Sequence, residues 1–377
     1  MAGSLSVLCG QMLVVGLAGP PRIELDVGER RALGAGERGG VVLFRRNVGT
    51  GAEGLGAVRA LNAAVLEACP PDLPPLVAVD QEGGRVMRLG PPAMQLPPMR
   101  RLGDVDTSPN ADLVRRVAEA QARELAALGF SMSFAPVADI HTRDENPIIG
   151  DRAFATTPEG VARLGGAWAE GLARGGVLSC AKHFPGHGDT TVDSHLALPH
   201  VDRPKADLER LEIASFRALA KNPAVDSMMT AHVVYPALDP AQPATLSHAI
   251  CTELLRGQLG FSGVLFSDDL EMKALTMPTG EAAVRAVNAG CDVLLVCSRA
   301  DLADAAHEAL VHEAEKSPAF RARCEEAFAR GIAMRRRVPP APLASDADLA
   351  RIYQATAPVT AELARRLEGR AAEDTSR

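Results

Sequence analysis

The run Gly176-Val177-Leu178-Ser179-Cys180-Ala181 leads directly into Lys182-His183-Phe184-Pro185-Gly186-His187-Gly188-Asp189-Thr190-Thr191-Val192-Asp193-Ser194-His195. Small and apolar residues without a charge read as a strand buried on both faces, the kind that parallel sheets use. Pro185, Gly186 and Gly188 then force a loop. Lys182 and His183 stand at the strand end, and His187, Asp189, Asp193 and His195 crowd the loop after it. Titratable side chains gathered just past a buried strand point to an active site, because loops carry chemistry on a scaffold of strands.

Outward from this strand the same unit repeats. Apolar runs occur at Gln11–Leu17, Gly40–Phe44, Leu76–Val79, Ser131–Val137, Val177–Ala181, Ala224–Met229, Gly263–Phe266 and Cys291–Val296. Segments with helical apolar spacing fill most intervals: Gly54–Ala68, Ala111–Leu128, Pro158–Ala173, Ala206–Leu219 and Glu281–Ala289. Eight buried strands alternating with helices predict an α/β fold, a single (β/α)8 TIM-type barrel with extra C-terminal helices. The polar residues agree. Arg45-Arg46-Asn47, Asp80-Gln81-Glu82, Asp139 with His141, Lys182-His183, Thr230-Ala231-His232 and Ser267-Asp268-Asp269 all follow strand ends, whereas the strand beginnings carry mainly Gly, Pro and small polar residues. One catalytic mouth produces that asymmetry. No G-x-G-x-x-G or P-loop is present.

Residues 1–337 are expected to form the barrel, which is the catalytic domain. Past Cys297 the chain reads as helical and polar through Asp301–Arg337. Pro339-Pro340-Ala341-Pro342 is a stiff connector, so 338–377 is expected to hold that connector, an amphipathic helix over Asp346–Glu368 and a charged, frayed tail.

Composition narrows the partners. The 377 residues are 47% hydrophobic and 23% charged, enough for a large core, with a net charge of −7. That balance argues against nucleic acid and offers no polybasic membrane patch. No apolar run approaches the ~18 residues of a membrane span. Leu5–Gly19 mimics a signal-peptide core but has no Lys or Arg before Arg22, so none is expected. Seven scattered cysteines without a C-x-x-C fit a reducing, cytoplasmic setting, with Cys180, Cys291 and Cys297 as small buried hydrophobes.

Two chemistries can use the histidine-rich loop. Histidines and aspartates are metal-ligand types, yet no H-E-x-x-H or comparable helical pair occurs. Alternatively Asp193 and His195, two residues apart, form a dyad in which the carboxylate fixes the imidazole tautomer and makes it a proton donor and acceptor. No metal and no cofactor is expected on this second reading, which requires a nucleophile from elsewhere.

The loop at 182–195, V-D-Q-E-G-G-R-V at 79–86, N-P-I-I-G-D-R-A-F at 146–154, M-M-T-A-H-V-V-Y-P at 228–236 and S-D-D-L-E-M at 267–272 together resemble glycoside hydrolase family 3. The likeness runs in order from about Gln11 to Val296, and is to the family's single-domain bacterial β-N-acetylglucosaminidases (β-hexosaminidases, NagZ type). It implies retaining hydrolysis of a terminal β-linked N-acetylglucosamine, with Asp268 as nucleophile, His195 as general acid/base and Asp193 orienting it. It further implies sugar binding by Asp80, Arg88, Arg152, Lys182 and His183, a muropeptide substrate from peptidoglycan fragments in cell-wall recycling, and a cytoplasmic enzyme. Chemistry wants the same residue types there: a carboxylate that can attack the anomeric carbon, and mixed donors and acceptors for sugar hydroxyls. Asp139 is expected to bridge pocket arginines such as Arg152, and Asp269 to point away and cap a loop. His187 and Asp189 are expected to stabilise the loop, while His232 either lines the pocket or is a satisfied core histidine. A metal-dependent hydrolase on the same barrel, or a non-catalytic sugar-binding barrel, are the rival readings.

Overall fold

A computed structural model describes residues 4–143, 145–190, 198–339 and 343–375. Eight strands close into a parallel barrel: β1 (Leu13–Gly16), β2 (Gly40–Leu43), β3 (Leu76–Val79), β4 (Met132–Ser133), β5 (Leu178–Phe184), β6 (Ser227–Thr230), β7 (Val264–Asp269) and β8 (Val293–Val296). Each pairs with its sequence neighbours, and β1 closes on β8 through Leu13–Leu294, Val14–Leu295 and Val15–Val296. All eight apolar runs of the sequence contribute a strand. The stretch from Leu5 is built into the fold, first as helix α1 (Leu5–Gly10) and then as β1.

Alternation along the strands separates two kinds of core. Val14, Val42, Ala78, Cys180 and Leu295 fill the barrel interior with Met132, Phe134, Met229 and Phe266. Their neighbours point outward against helices α2 (Val27–Gly34), α3 (Gly51–Ala68), α4 (Met99–Val105), α5 (Asp112–Ala127), α6 (Pro158–Arg174), α7 (Lys205–Arg210), α8 (Glu212–Leu219), α9 (Thr279–Ala289), α10 (Ala300–Lys316) and α11 (Pro318–Arg335). The expected helix over Ala206–Leu219 is divided at Leu211, whose φ of −107° and ψ of −92° are not helical. The helical stretch after Cys297 is likewise two helices, because Ser317 leaves helical geometry to cap α11 through its hydroxyl, with Pro318 at the first turn.

The last helix, α12, runs Asp346–Thr375, beyond the expected end at Glu368, since Arg370, Ala371, Ala372 and Glu373 are good helix formers. It lies across α5. Thr356 Oγ1 donates to Glu124 Oε1 at 2.8 Å, and Arg116 forks onto Glu362 at 2.8 and 3.0 Å. Leu349 and Leu363 join the core shared with α5 and α6. No helix among the described residues is long and apolar enough to cross a membrane.

Candidate active site

The mouth at the C-terminal ends of the strands holds a cavity of about 200 Å³. Asp80 follows β3 directly. Glu82 sits in a small hairpin, Gln81–Gly83 against Val86–Met87, whose turn demands glycine: Gly84 has a φ of +56°, and a Cβ on Gly83 would lie 2.6 Å from the Pro97 carbonyl. Lys182 rises from β5, and Arg152 ends a single turn of 3₁₀ helix, Gly150–Arg152.

These side chains interlock. Lys182 Nζ lies 2.8 Å from Asp80 Oδ1 and 2.7 Å from Glu82 Oε1. Arg152 donates Nε and Nη2 to the two oxygens of Glu82, each at 2.8 Å, and Nη1 to the Ile148 carbonyl. Arg88 ends this chain of ion pairs on Asp80 Oδ2 at 3.2 Å. Burial opposes charge on both carboxylates, but it is outweighed. Lys182 and Arg88 hold Asp80 below the usual carboxylate range, and Arg152 with Lys182 drive Glu82 far below it. Burial likewise disfavours charged Lys182, and Asp80 with Glu82 reverse that and raise it.

Two irregularities in strand pairing set what faces the cavity. On β5, Lys182 pairs with Met229 and Phe184 with Thr230, two residues against one. On β7, Phe266 pairs with Val293 and Asp269 with Leu295, again one residue extra. A bulge breaks the alternation of a strand and re-aims its side chains. Both members of Lys182-His183 and both of Asp268-Asp269 therefore line the cavity. Asp268 Oδ1 accepts the Asp269 amide at 2.8 Å.

Behind this front stands a supporting layer. Asp139, fully buried, lies 2.7 Å from His183 Nδ1 and accepts the amides of His183 and His187. With Nδ1 so engaged, Nε2 is the ring nitrogen that His183 offers to the cavity. Asp269 Oδ1 accepts the amides of Glu271 and Cys297, and its carbonyl lies 2.9 Å from His232 Nε2. Burial, with the nearby charges of Glu271 and Asp268, pushes the Asp269 carboxyl up to about 7. His187 is buried, 2.8 Å from Thr190 Oγ1, and burial followed by repulsion from His183 lowers it to about 4. Asp189 is clamped by Arg143 and Arg203. Among the described residues no three His, Cys, Asp or Glu side chains are grouped to hold a metal ion.

The model of the glycosyl hydrolase family 3 N-terminal domain matches residues 5–330. The chain belongs to glycosyl hydrolase family 3. This family 3 hydrolase is 42% identical over 291 residues to a β-hexosaminidase of Chromobacterium violaceum, covering 76% of this chain and 79% of the relative. Among solved structures it resembles a family 3 β-N-acetylglucosaminidase from Paenibacillus sp. strain FPU-7, with a TM-score of 0.84 and 36% identity over 95% of this chain and 69% of that one. It also resembles NagZ of Neisseria gonorrhoeae, solved in complex with N-trifluoroacetyl-D-glucosamine. There the TM-score is 0.77 and the identity 32%, over 94% of this chain and 98% of that one.

The hydrolase thus brings Asp80, Arg88, Arg152, Lys182, His183 and Asp268 to one cavity. Asp193 and His195 lie outside the described residues. Asp139 departs from expectation: it serves His183 and His187 rather than bridging Arg152, whose fork is occupied by Glu82. Glu82 is the residue the sequence reading missed. Its spacing of two from Asp80 was the available signal, because residues i and i+2 of an extended segment share a face. Asp269 caps a loop as expected but lines the cavity as well. His232 is a buried histidine that braces the Asp269 carbonyl from behind and lies 2.7 Å from Thr245 Oγ1.

Proposed function

We propose that this hydrolase is a retaining exo-β-N-acetylglucosaminidase. Asp268 attacks the anomeric carbon while His195, oriented by Asp193, protonates the leaving oxygen. The resulting glycosyl-Asp268 ester is then displaced by water that has given its proton back to His195. Asp80, Arg88, Arg152, Lys182 and His183 hold the sugar: two ionised carboxylate and cation sets satisfy hydroxyls that both donate and accept. Residues 1–337 are the catalytic unit and 338–377 an appendage. The natural substrate in this reading is a muropeptide from peptidoglycan, cleaved in the cytoplasm during cell-wall recycling; the named relatives support its N-acetylhexosaminide end.

The observation that carries this reading is the position of Asp268, on the bulged end of β7 and in one cavity with the ion-paired Asp80, Lys182 and Arg152. The metal-dependent alternative draws its ligands from the same loop, where His187 and Asp189 are already engaged by Thr190 and by two arginines. A purely sugar-binding barrel has no need of a carboxylate at Asp268. The test is turnover of 4-nitrophenyl N-acetyl-β-glucosaminide by the purified chain, with the β-glucoside as control and after exhaustive chelation. The reading requires cleavage of the first substrate, little of the second, and no loss on chelation. Loss that added metal restores supports the alternative.

A further inference from the structure

At the opposite end of the barrel lies a charge cluster that hydrolysis does not use. Asp292 precedes β8 and is fully buried. Its Oδ2 accepts the Leu265 amide at 2.9 Å and Arg256 Nη2 at 2.6 Å, while Oδ1 accepts Arg323 Nη2 at 2.6 Å and Arg330 Nη1 at 2.5 Å. One carboxylate with about four acceptor positions is thereby saturated, yet it balances only one of three guanidinium charges. A further carboxylate, Glu326, is 67% exposed and stands 3.8 Å from Arg323 Nη1, too far for a hydrogen bond. That Arg323 nitrogen is buried and has no acceptor at all. Burial lowers Arg256, and repulsion from Arg330 and Arg323 adds to it, although Asp292 opposes both.

The three arginines come from separate elements: Arg256 from the wide helical segment Ala249–Gln258, Arg323 and Arg330 from α11 two turns apart. They meet at an open cavity of about 320 Å³, which His248 and Asn288 also line. A structural ion pair needs one cation. Arg256 Nη1 and Arg323 Nη2 also donate to backbone carbonyls, of Phe261 and Gly263 and of Gly290 and Cys291, but Arg330 engages Asp292 through Nη1 alone, which leaves its Nε and Nη2 without a protein acceptor among the described residues. Planar forks with free donors in a partly desolvated cavity are the chemistry of oxyanion recognition.

We propose that this basal cavity is a binding site for a phosphate-type oxyanion, either inorganic phosphate or a phosphomonoester, held chiefly by Arg330 and Arg323 and separate from the catalytic mouth.

Calorimetry and thermal melts on the full chain test it, with inorganic phosphate, glycerol 3-phosphate, and sodium chloride at matched ionic strength. The proposal expects one saturable site, a melting temperature raised above the chloride control, and no competition from saturating N-acetylglucosamine. Whichever phosphate species binds more tightly identifies the source. Arg330→Gln should weaken binding by about tenfold or more with unchanged turnover of the aryl glycoside, and Arg330→Lys should weaken it less. Glu326→Gln removes the competing rim charge at an exposed position and should tighten binding a few-fold. Phosphate and chloride acting alike, competition by N-acetylglucosamine, or equal affinity in wild type, Arg330→Gln and Glu326→Gln would each overturn it.

Discussion

At the mouth of the barrel, Asp80 and Glu82 face Lys182, Arg88 and Arg152, and each of these side chains has a partner of opposite sign. At the base, Asp292 is the one buried carboxylate among the described residues that pairs with Arg256, Arg323 and Arg330, with Glu326 at the exposed rim. Both ends gather charge beside buried strands, but the mouth links three cations through two carboxylates, whereas the base sets three on one. In a low-dielectric setting a continuous chain of ion pairs, here Arg88–Asp80–Lys182–Glu82–Arg152, fixes positions, because moving one member strands its neighbours. Such a chain of pairs suits a site that must hold a neutral sugar in one orientation beside Asp268. Unbalanced charge suits a site that waits for a counter-ion.

The comparison can be broken most severely at Asp268. Asp268→Asn should lower turnover by roughly three orders of magnitude or more while leaving the linked ion pairs, and so sugar binding, in place. Steady-state kinetics and a dissociation constant for N-acetylglucosamine check it. A variant that cleaves like the parent moves the chemistry elsewhere.

Glu82→Gln should damage the linked ion pairs themselves. Arg152 and Lys182 then lose a buried counter-charge, at a cost of about 3–5 kcal/mol in stability and roughly a hundredfold in kcat/KM through misplaced sugar contacts. The sign with pH follows from the depressed carboxyl. Glu82 stabilises the fold above its unfolded value of about 4.3, and the benefit fades as pH falls below that. The gap in melting temperature between parent and variant should narrow toward acid. A constant gap rules out the ionised carboxylate as the cause.

Asp269 is the exception within the mouth, a carboxyl raised to about 7 with no cation among the causes of its shift. Ionising it costs folding free energy progressively between about pH 4 and 7. Asp269→Asn keeps an acceptor for the Glu271 and Cys297 amides and removes that cost. The variant should gain unfolding free energy relative to the parent at pH 8 compared with pH 4, by an amount on the order of 1–3 kcal/mol, read from denaturant melts. Equal gains at both pH values contradict the shift.

The smallest effect on stability is expected at the base. Arg330→Gln leaves Asp292 with two guanidiniums and an amide, so it should cost less than about 1 kcal/mol. A cost as large as that of Glu82→Gln would mean that the base is as interlocked as the mouth.

Much of this was legible in the chain. Buried parallel strands announce themselves as short apolar runs, and all eight contribute to the barrel. Of the residues that follow them, Asp80, Glu82, Lys182, His183, Asp268 and Asp269 gather in one cavity, while Asp139 and His232 brace it from behind. What sequence did not reveal is local and three-dimensional. A bulge has no composition of its own, so the shared orientation of Lys182 with His183 and of Asp268 with Asp269 appears only in the register. Glu82 carried no role of its own in the sequence: it stood after Asp80 in the same polar strand end, and only the hairpin shows it facing Arg152 and Lys182. The pairing of Asp139 with His183 depends on how two loops stack. The arginines around Asp292 are scattered from 256 to 330, and only the return of α11 under the barrel brings them together.

The central claim is that Asp268 carries the sugar between the two half-reactions. Incubation with a slow 2-deoxy-2-fluoro or 5-fluoro glycoside, followed by proteolysis and mass spectrometry, reads it directly. The account predicts a single peptide, containing Asp268, whose mass rises by one glycosyl group and whose label fragments to that side chain. A label on Asp269 or Asp80, or steady turnover of the slow substrate with no labelled peptide at any time, contradicts it.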